Sequence, residues 1–368
     1  MSTFNLHVVQ ALYGDCLLVE HEEAGTRRFI LVDGGPAGVY DTHLKPYLAQ
    51  TIGATGTLDL VVLSHVDDDH VVGILDLFAD IDHATVNGEP PPVSIRELWH
   101  NSFTRTVDED GSIANRTRQM LAAAGAKQVA MAETASVFFG IRQGNQLMRA
   151  ATKLGIPVNT ETNGDIVMPE TLRAAVDLGG LEIRVIGPNE ENLAALQDEW
   201  RDWLAKNEGA VLTDPKTAAN ADRSVPNLSS IMMLLRAGRR SILLTGDGRA
   251  DFIVAGLKQA GLMNGGQCHV SVLKVQHHGS DRNATPDFFR QVTADTYVIS
   301  ANGKYGNPDL KTLQWIVDAA HADGRPITIH ATNDTPTLDE LRRSRPVSQY
   351  DYRLEVLPLA DSAFTIHL

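Results

Sequence analysis

Two histidines and three aspartates fall within one short stretch, His65-Val66-Asp67-Asp68-Asp69-His70. An apolar run, Leu58 to Ser64, leads into it, and a helical pattern, Val71 to Ala79, leads out. The cluster therefore stands at the exit of a buried strand, where α/β proteins place their chemistry. Alternating donors at 65 and 67, then an adjacent pair at 69 and 70, let a turning backbone serve two neighbouring cations. Nitrogen and carboxylate donors suit zinc, manganese or iron better than calcium. Two such ions side by side would hold a hydroxide and clamp a phosphoryl or carbonyl oxygen. A plain acidic helix start is the competing reading, because Asp is common at N-caps and in first turns.

Two further stretches carry donors of the same kind. Asp247 follows the apolar run Ile242-Leu243-Leu244-Thr245 and stands between two glycines. An unpaired carboxylate at a buried strand end is costly, so a cation partner explains it economically. The alternative is an N-cap for a helix starting at Ala250. His277 and His278 follow the strand-like run Val272-Leu273-Lys274-Val275. His277 reads as a metal ligand; His278 either orients a substrate oxygen or supports the ligand shell. Lys274 alternates away from Leu273 and Val275 and, with His278 and Ser280, reads as a donor to a phosphate oxygen. His100, in Leu98-Trp99-His100, is either a structural histidine or a residue touching metal or substrate.

Together these stretches resemble the metallo-β-lactamase fold hydrolases, in the group similar to the hydrolase domain of the DNA-uptake protein ComEC. His65-x-Asp67-x-Asp69-His70 is similar to the family's second motif, HxHxDH, with Asp67 in place of the second histidine. Gly14-Asp15-Cys16 resembles the group's GQGD turn, and Asp33 in FILVDGG the first motif. SILLTGDG (241–248) resembles the fourth motif and LKVQHHGS (273–280) the fifth. Where the third motif normally supplies a histidine, Asn227-Leu228-Ser229-Ser230 is similar to the NxxS of the ComEC-like group. Asn307 stands where a related segment usually reads Gly-His-Pro.

The resemblance implies two divalent ions, Zn2+ or Mn2+, both bridged by Asp247. Asp69, His70 and His277 would serve one ion, His65 and Asp67 the other. Asp69 would also take part in catalysis, Asp33 would fix the metal loop through hydrogen bonds, and Asn227 and Ser230 would lie near metal or substrate. Fewer nitrogen and more oxygen donors raise the case for manganese. The implied activity is that of a phosphodiesterase or nuclease on a nucleotide-type, small or single-stranded substrate. Hydrolysis of a carboxylic ester, thioester or lactam is the alternative, and a catalytically silent metal- or nucleotide-binding module is a third.

These donors need strands to position them. Strand-like runs recur at Leu6-Val8, Leu17-Glu20, Phe29-Val32, Leu60-Leu63 and Ile95-Trp99, then at Leu181-Ile186, Ser230-Leu235, Ser241-Leu244, Val270-Val275, Thr296-Ser300, Ile327-His330 and Tyr352-Leu357. Helices are expected at Ala250-Ala260, Pro286-Thr293 and Leu310-His321, and after the metal motif, where Val72, Leu75 and Ala79 share a face. A mainly helical insertion is expected at about 101–226. Its second helix carries the packing stripe Leu193, Leu196, Trp200 and Leu204. Two β-rich halves flanked by helices predict an α/β four-layer αββα sandwich of the metallo-β-lactamase type, in one domain spanning 1–368.

Composition excludes little but is consistent with this. The 368 residues are 43% hydrophobic, enough for a large core. Basic and acidic residues number 32 and 46, a net charge of −14, which argues against broad wrapping of nucleic acid. No apolar run reaches a membrane span, and no basic segment with an apolar core opens the chain, so a cytoplasmic location without membrane contact is expected. Cys16 and Cys268 read as small buried hydrophobes rather than a disulfide.

Overall fold

The computed structural model describes residues 3–53, 56–101, 134–194, 198 and 229–368, with the side chains of 134–142 excepted. The expected roles of Asn227, Leu196, Trp200 and Leu204, and half of the 101–226 insertion, lie outside the described residues.

The first sheet joins β1 (Thr3–Val9), β2 (Leu17–Glu23), β3 (Thr26–Val32), β5 (Leu60–Leu63), β7 (Leu98–His100) and β16 (Ala363–His367) in the order β16-β1-β2-β3-β5-β7. The short β4 (Thr57–Leu58) and β6 (Ser94–Ile95) pair beside it. The second sheet is eight-stranded. It comprises β8 (Val176–Asp177), β9 (Glu182–Gly187), β10 (Met232–Ala237), β11 (Arg240–Leu244), β12 (Cys268–Lys274), β13 (Val292–Ile299), β14 (Ile327–Ala331) and β15 (Tyr352–Val356), in descending order from β15 to β8.

Alternation along the strands stacks these sheets. Leu6, Val8, Val19, Ile30 and Val62 of the first meet Ile183, Val185, Leu235, Ile242 and Val272 of the second in one shared apolar layer. The residues between them face outward. Leu18, Leu31, Val61 and Leu63 pack under α1 (Lys45–Thr51) and α2 (Asp68–Asn87). α3 (Thr134–Leu154) adds Leu147 and Ala151 to that layer, and the short α4 (Pro169–Leu172) borders β9. Leu243, Val270, Leu273 and Ile329 pack under α5 (Ala250–Gln259), α6 (Pro286–Gln291), α7 (Leu310–Ala322) and α8 (Pro336–Ser344). The four layers are therefore helix, sheet, sheet, helix, the α/β sandwich that the alternating pattern predicts. Each fully buried Leu, Ile or Val contributes roughly 1.5–3 kcal/mol to holding them together.

Several local expectations change. The buried face of α2 carries Val71, Ile74, Leu77, Phe78 and Ile81, whereas Ala79 is exposed and Val72 and Leu75 are only partly covered. The expected stripe lies one position off because α2 packs through its Gly73 edge. A Cβ on Gly73 would come within 1.9 Å of the Gly34 carbonyl oxygen. The run Ile95-Trp99 divides between β6 and β7, and α6 stops at Gln291 because Val292 already pairs with Cys268. The strand at Ala363–His367 was not anticipated; it returns to pair antiparallel with β1.

In this order, β3, β5 and β7 run parallel, as do β11 through β15. Their carboxyl ends gather at one edge of the sandwich, which delivers Asp33, Ser64-His65 and His100 from one sheet and Asp247, His277-His278 and Ser300 from the other. No helix among the described residues is long and apolar enough to cross a membrane.

Candidate metal centre

Four imidazoles converge at that edge, each pinned through Nδ1. His70 Nδ1 donates to Asp33 Oδ2 at 2.8 Å, His277 Nδ1 to Asn283 Oδ1 at 2.7 Å and His278 Nδ1 to the Ser300 carbonyl at 2.9 Å. Ser64 Oγ donates to Asp33 Oδ2 at 2.7 Å and lies 3.1 Å from His65 Nδ1, which donates to it. Acceptors on every Nδ1 set the tautomer, so each Nε2 presents a lone pair to the centre.

The carboxylates face the same point. Asp247 Oδ2 lies 3.7 Å from His65 Nε2 and 3.6 Å from His277 Nε2. Its Oδ1 lies 3.5 Å from His70 Nε2 and 3.7 Å from His278 Nε2. Asp67 Oδ2 stands 3.7 Å from His65 Nε2, on the first side. Asp69 reaches His70 Nε2 at 3.8 Å and His278 Nε2 at 3.3 Å, on the second. His65, His70 and Asp247 offer three ligand atoms within 4.8 Å of one another, and so do Asp69, His70 and His278.

A cation fits this set, because acceptors face acceptors. His65 Nε2, His70 Nε2, His278 Nε2 and Asp247 Oδ1 are buried without a hydrogen-bond partner. Four such atoms in one place would be costly without positive charge among them. The ionisation equilibria show the same demand. Burial opposes charge on His278, yet Asp247 and Asp15 outweigh it and push its pKa up to about 10. Burial likewise opposes charge on His70, and Asp247, Asp33 and Asp69 hold it well above the usual histidine value. His65, where burial and His70 prevail, is pushed down to about 3. Burial works against the Asp247 carboxylate, but His277, His278 and His70 keep it well below the usual range.

Local backbone explains the placement. Asp67 sits at the start of α2 in extended conformation, with no cap hydrogen bond from its side chain, so its carboxylate stays turned toward His65. The N-cap of α5 is Arg249, not Asp247, which removes the capping explanation for that acid. His277 and His278 both adopt left-handed backbone, φ 47° and 55°. Two consecutive residues of this kind turn both rings into the cleft, at a strain that the fold must hold in place. As a result His278, not His277, completes the Asp69–His70 side, and His277 stands beside His65. This differs from the expected pairing.

Other expected residues fall variously. Asp33 is buried against His70 and also accepts from the Ser64 amide at 2.7 Å. Ser230 Oγ accepts from the Asp247 amide at 3.3 Å, and Ser280 lines the cleft. His100 is buried beside Gly144, belongs to no candidate ligand group among the described residues, and is pushed down to about 4 by burial alone. Lys274 does not reach the cleft. It is fully buried on the dry inner face shared with Val272, with Nζ 2.7 Å from Asp15 Oδ2 and donating to the Val275 carbonyl at 3.0 Å. The expectation that it donates to substrate is corrected accordingly.

Sequence reasoning assigned no role to Asp15 and missed Ser64, Asn283 and Ser300. Asp15 Oδ1 lies 3.3 Å from His278 Nδ1, linking Lys274 to the centre. Asn283 also donates to the Asp247 carbonyl at 2.9 Å. Polar residues in turns carry no signal that separates such duty from ordinary loop chemistry.

Gly14 makes the convergence possible, since a Cβ there would lie 1.9 Å from the Asp69 carbonyl oxygen. Gly14→Ala should therefore displace the Asp69 segment. We expect a stability loss of about 1–3 kcal/mol and weaker metal retention, read by urea unfolding and metal titration.

In front of the centre lies a cavity of about 420 Å³, bounded by Asp67, Asp69, Asp247, His277 and His278 and, on the far side, by the segment 301–309.

No family model matches the chain, and no curated protein sequence does. Solved structures similar to the chain include a metallo-beta-lactamase fold protein and a diphosphatase. The metallo-beta-lactamase fold protein YhfI from Bacillus subtilis is 13% identical over 99% of this chain and 100% of its own, with a TM-score of 0.40. A diphosphatase of the PhnP family is 11% identical over 95% and 83%, with a TM-score of 0.36.

Proposed function

We propose that this chain is a metal-dependent hydrolase that cleaves phosphodiesters at a two-cation centre. The observation that carries the reading is the division of donors about Asp247: His65 and His277 beside one carboxylate oxygen, with Asp67 against His65, and His70 and His278 beside the other, with Asp69 against both. Divalent ions held there would supply Lewis acidity and lower the pKa of water. The chain's own part is to hold that arrangement rigid. Asp33, Asn283 and Ser300 keep the Nδ1 protons of His70, His277 and His278 away from the centre, and Asp15 holds the His278 ring. Asp69 keeps a carboxylate oxygen 3.3 Å from His278 Nε2 at the cavity wall, placed to take up a proton as water adds to phosphorus. The net reaction adds water across a P–O bond and releases a phosphomonoester and an alcohol.

Phosphorus is favoured over a carbonyl substrate for two reasons. Three carboxylates beside four imidazoles leave enough oxygen in the donor set for cations such as Mn2+, which pair well with phosphoryl oxygens. Arg282 and Lys304 also line the same cavity, offering charge to a phosphate. The test is a parallel screen of purified protein loaded with Mn2+ or Zn2+ against a bis-aryl phosphate, an aryl ester and a cephalosporin, with metal content measured on the same sample. Turnover of the phosphate with two ions per chain is expected. Turnover of the ester or the cephalosporin alone overturns the choice of substrate, and no turnover with either metal overturns the enzyme.

A further inference from the structure

We propose that Tyr13, Arg282, Lys304 and Tyr305 form a rim that reads a nucleotide-type phosphodiester, stacking its base on Tyr305 and pairing its phosphate with the two cations. This rests on the phosphodiester reading and names the substrate class for the same cavity. All four residues line the cavity together with Asp69 and Asp247.

Packing does not account for Tyr305. It is 58% exposed, one of four large apolar or aromatic side chains so exposed among the described residues. Its ring meets Tyr13 edge to face, centroids 5.2 Å apart at 89°. Lys304 Nζ sits 3.7 Å from the Tyr13 centroid and 4.9 Å from that of Tyr305. Such cation–π contacts hold the ammonium at the aromatic pair instead of leaving it to sweep through solvent.

The loop beneath is built to display these groups. Gly303 and Gly306 adopt φ of 83° and 91°, and the Gly306 amide donates to the Gly303 carbonyl at 3.0 Å. Asn302 Oδ1 accepts from the Lys304 amide at 3.0 Å. Asn307 Nδ2 donates to the His277 carbonyl at 3.2 Å, tying the loop to the metal side of the cavity.

Two basic side chains, Arg282 and Lys304, stand at this mouth among the acids that line the cavity. The protein carries a net −14, yet among the described residues neither Arg282 nor Lys304 has a carboxylate partner. Of the two acids beside them, Asp281 is paired with Lys311 at 3.1 Å, and Asp309 Oδ2 accepts from the Asp281 amide at 2.9 Å. A guanidinium left without a carboxylate, on the wall of a cavity whose other end gathers phosphoryl-directed donors, suits a second phosphate oxygen. An exposed tyrosine face beside it suits a planar heterocycle. At about 420 Å³ the cavity takes one nucleoside unit and its phosphate rather than a duplex.

The probes are the nitrophenyl ester of thymidine 5′-monophosphate and methyl nitrophenyl phosphate, which share a leaving group and differ in the nucleoside. For the unmodified protein we expect kcat/KM roughly 10-fold or more higher for the thymidine ester. Tyr305→Ala should collapse that ratio toward one, and Tyr305→Phe, which keeps the stacking face, should preserve it. Binding of thymidine 5′-monophosphate, followed calorimetrically, should weaken at least about 5-fold in Tyr305→Ala. Hydrolysis of both esters at equal efficiency overturns the rim and leaves the phosphodiester reading standing. Binding that depends on Tyr305, without hydrolysis of either ester, upholds the rim and overturns the hydrolytic reading. Neither binding nor hydrolysis overturns both.

Discussion

Asp247→Asn should leave the chain folded and cost it one or both metal ions, with kcat falling on the order of 10³-fold. The substitution keeps size and shape. The backbone contacts of residue 247, its amide to Ser230 Oγ and its carbonyl from Asn283, do not involve the carboxylate. What changes is the charge. Among the donors of the centre, Asp247 faces imidazoles on both sides through its two oxygens, and it is 2% exposed. An amide offers one neutral oxygen and turns an NH2 toward groups that also need a cation or a donor. Metal analysis should therefore fall from two ions per chain to one or fewer. Compared without metal near neutral pH, the variant should be less stable than the unmodified chain, because His277, His278 and His70, which hold the carboxylate below its usual range, lose that partner. Two ions retained at full activity would mean that Asp247 does not bridge the centre.

Lys274→Met should destabilise the protein by about 3–5 kcal/mol, the cost of leaving one partner of a buried pair without the other. Lys274 and Asp15 are 0% and 1% exposed on their side chains and lie 2.7 Å apart. Burial alone would raise the Asp15 pKa, but Lys274 and then His278 overcome it and depress it below the usual aspartate range. A carboxylate with a depressed folded pKa contributes stability that is fully present above the unfolded value, about 3.9, and is lost as pH falls through the folded value. Without Lys274, burial dominates and the folded pKa rises. The variant then gains stability on acidification relative to the unmodified protein. Its deficit in urea unfolding should be largest near neutral pH and shrink toward pH 4. Asp15→Asn combined with Lys274→Met should recover much of the loss. A deficit independent of pH, with no recovery in the double variant, would assign the cost to packing of the lysine stem instead.

Much of the centre was legible because its densest part is local. His65 to His70 span one strand exit and one helix start, and strand alternation together with the 2- and 3.6-residue periods locates both. Asp247 was legible for a related reason: an aspartate between glycines after a wholly apolar run has few explanations. The helical face of α2 was misread by one position, because the amphipathic pattern there is broad and the deciding contact is a glycine meeting the backbone at Gly34.

The sequence by itself determined most of the strands and the helices α2, α5, α6 and α7, that the strands separate into two β-rich sets, and which donors stand at strand exits. Each of these depends on residues close together in the chain. Only the tertiary structure decided that His278 joins Asp69 while His277 joins His65, since left-handed backbone at both residues turns the rings to opposite sides of Asp247. It also decided that Lys274 is spent on Asp15, that the C-terminal strand returns to β1, and that Tyr13 meets Lys304 and Tyr305. Strand alternation tells which face a residue takes, but not what waits across it. That partner comes from a segment hundreds of residues away, brought there by the order in which the strands pair.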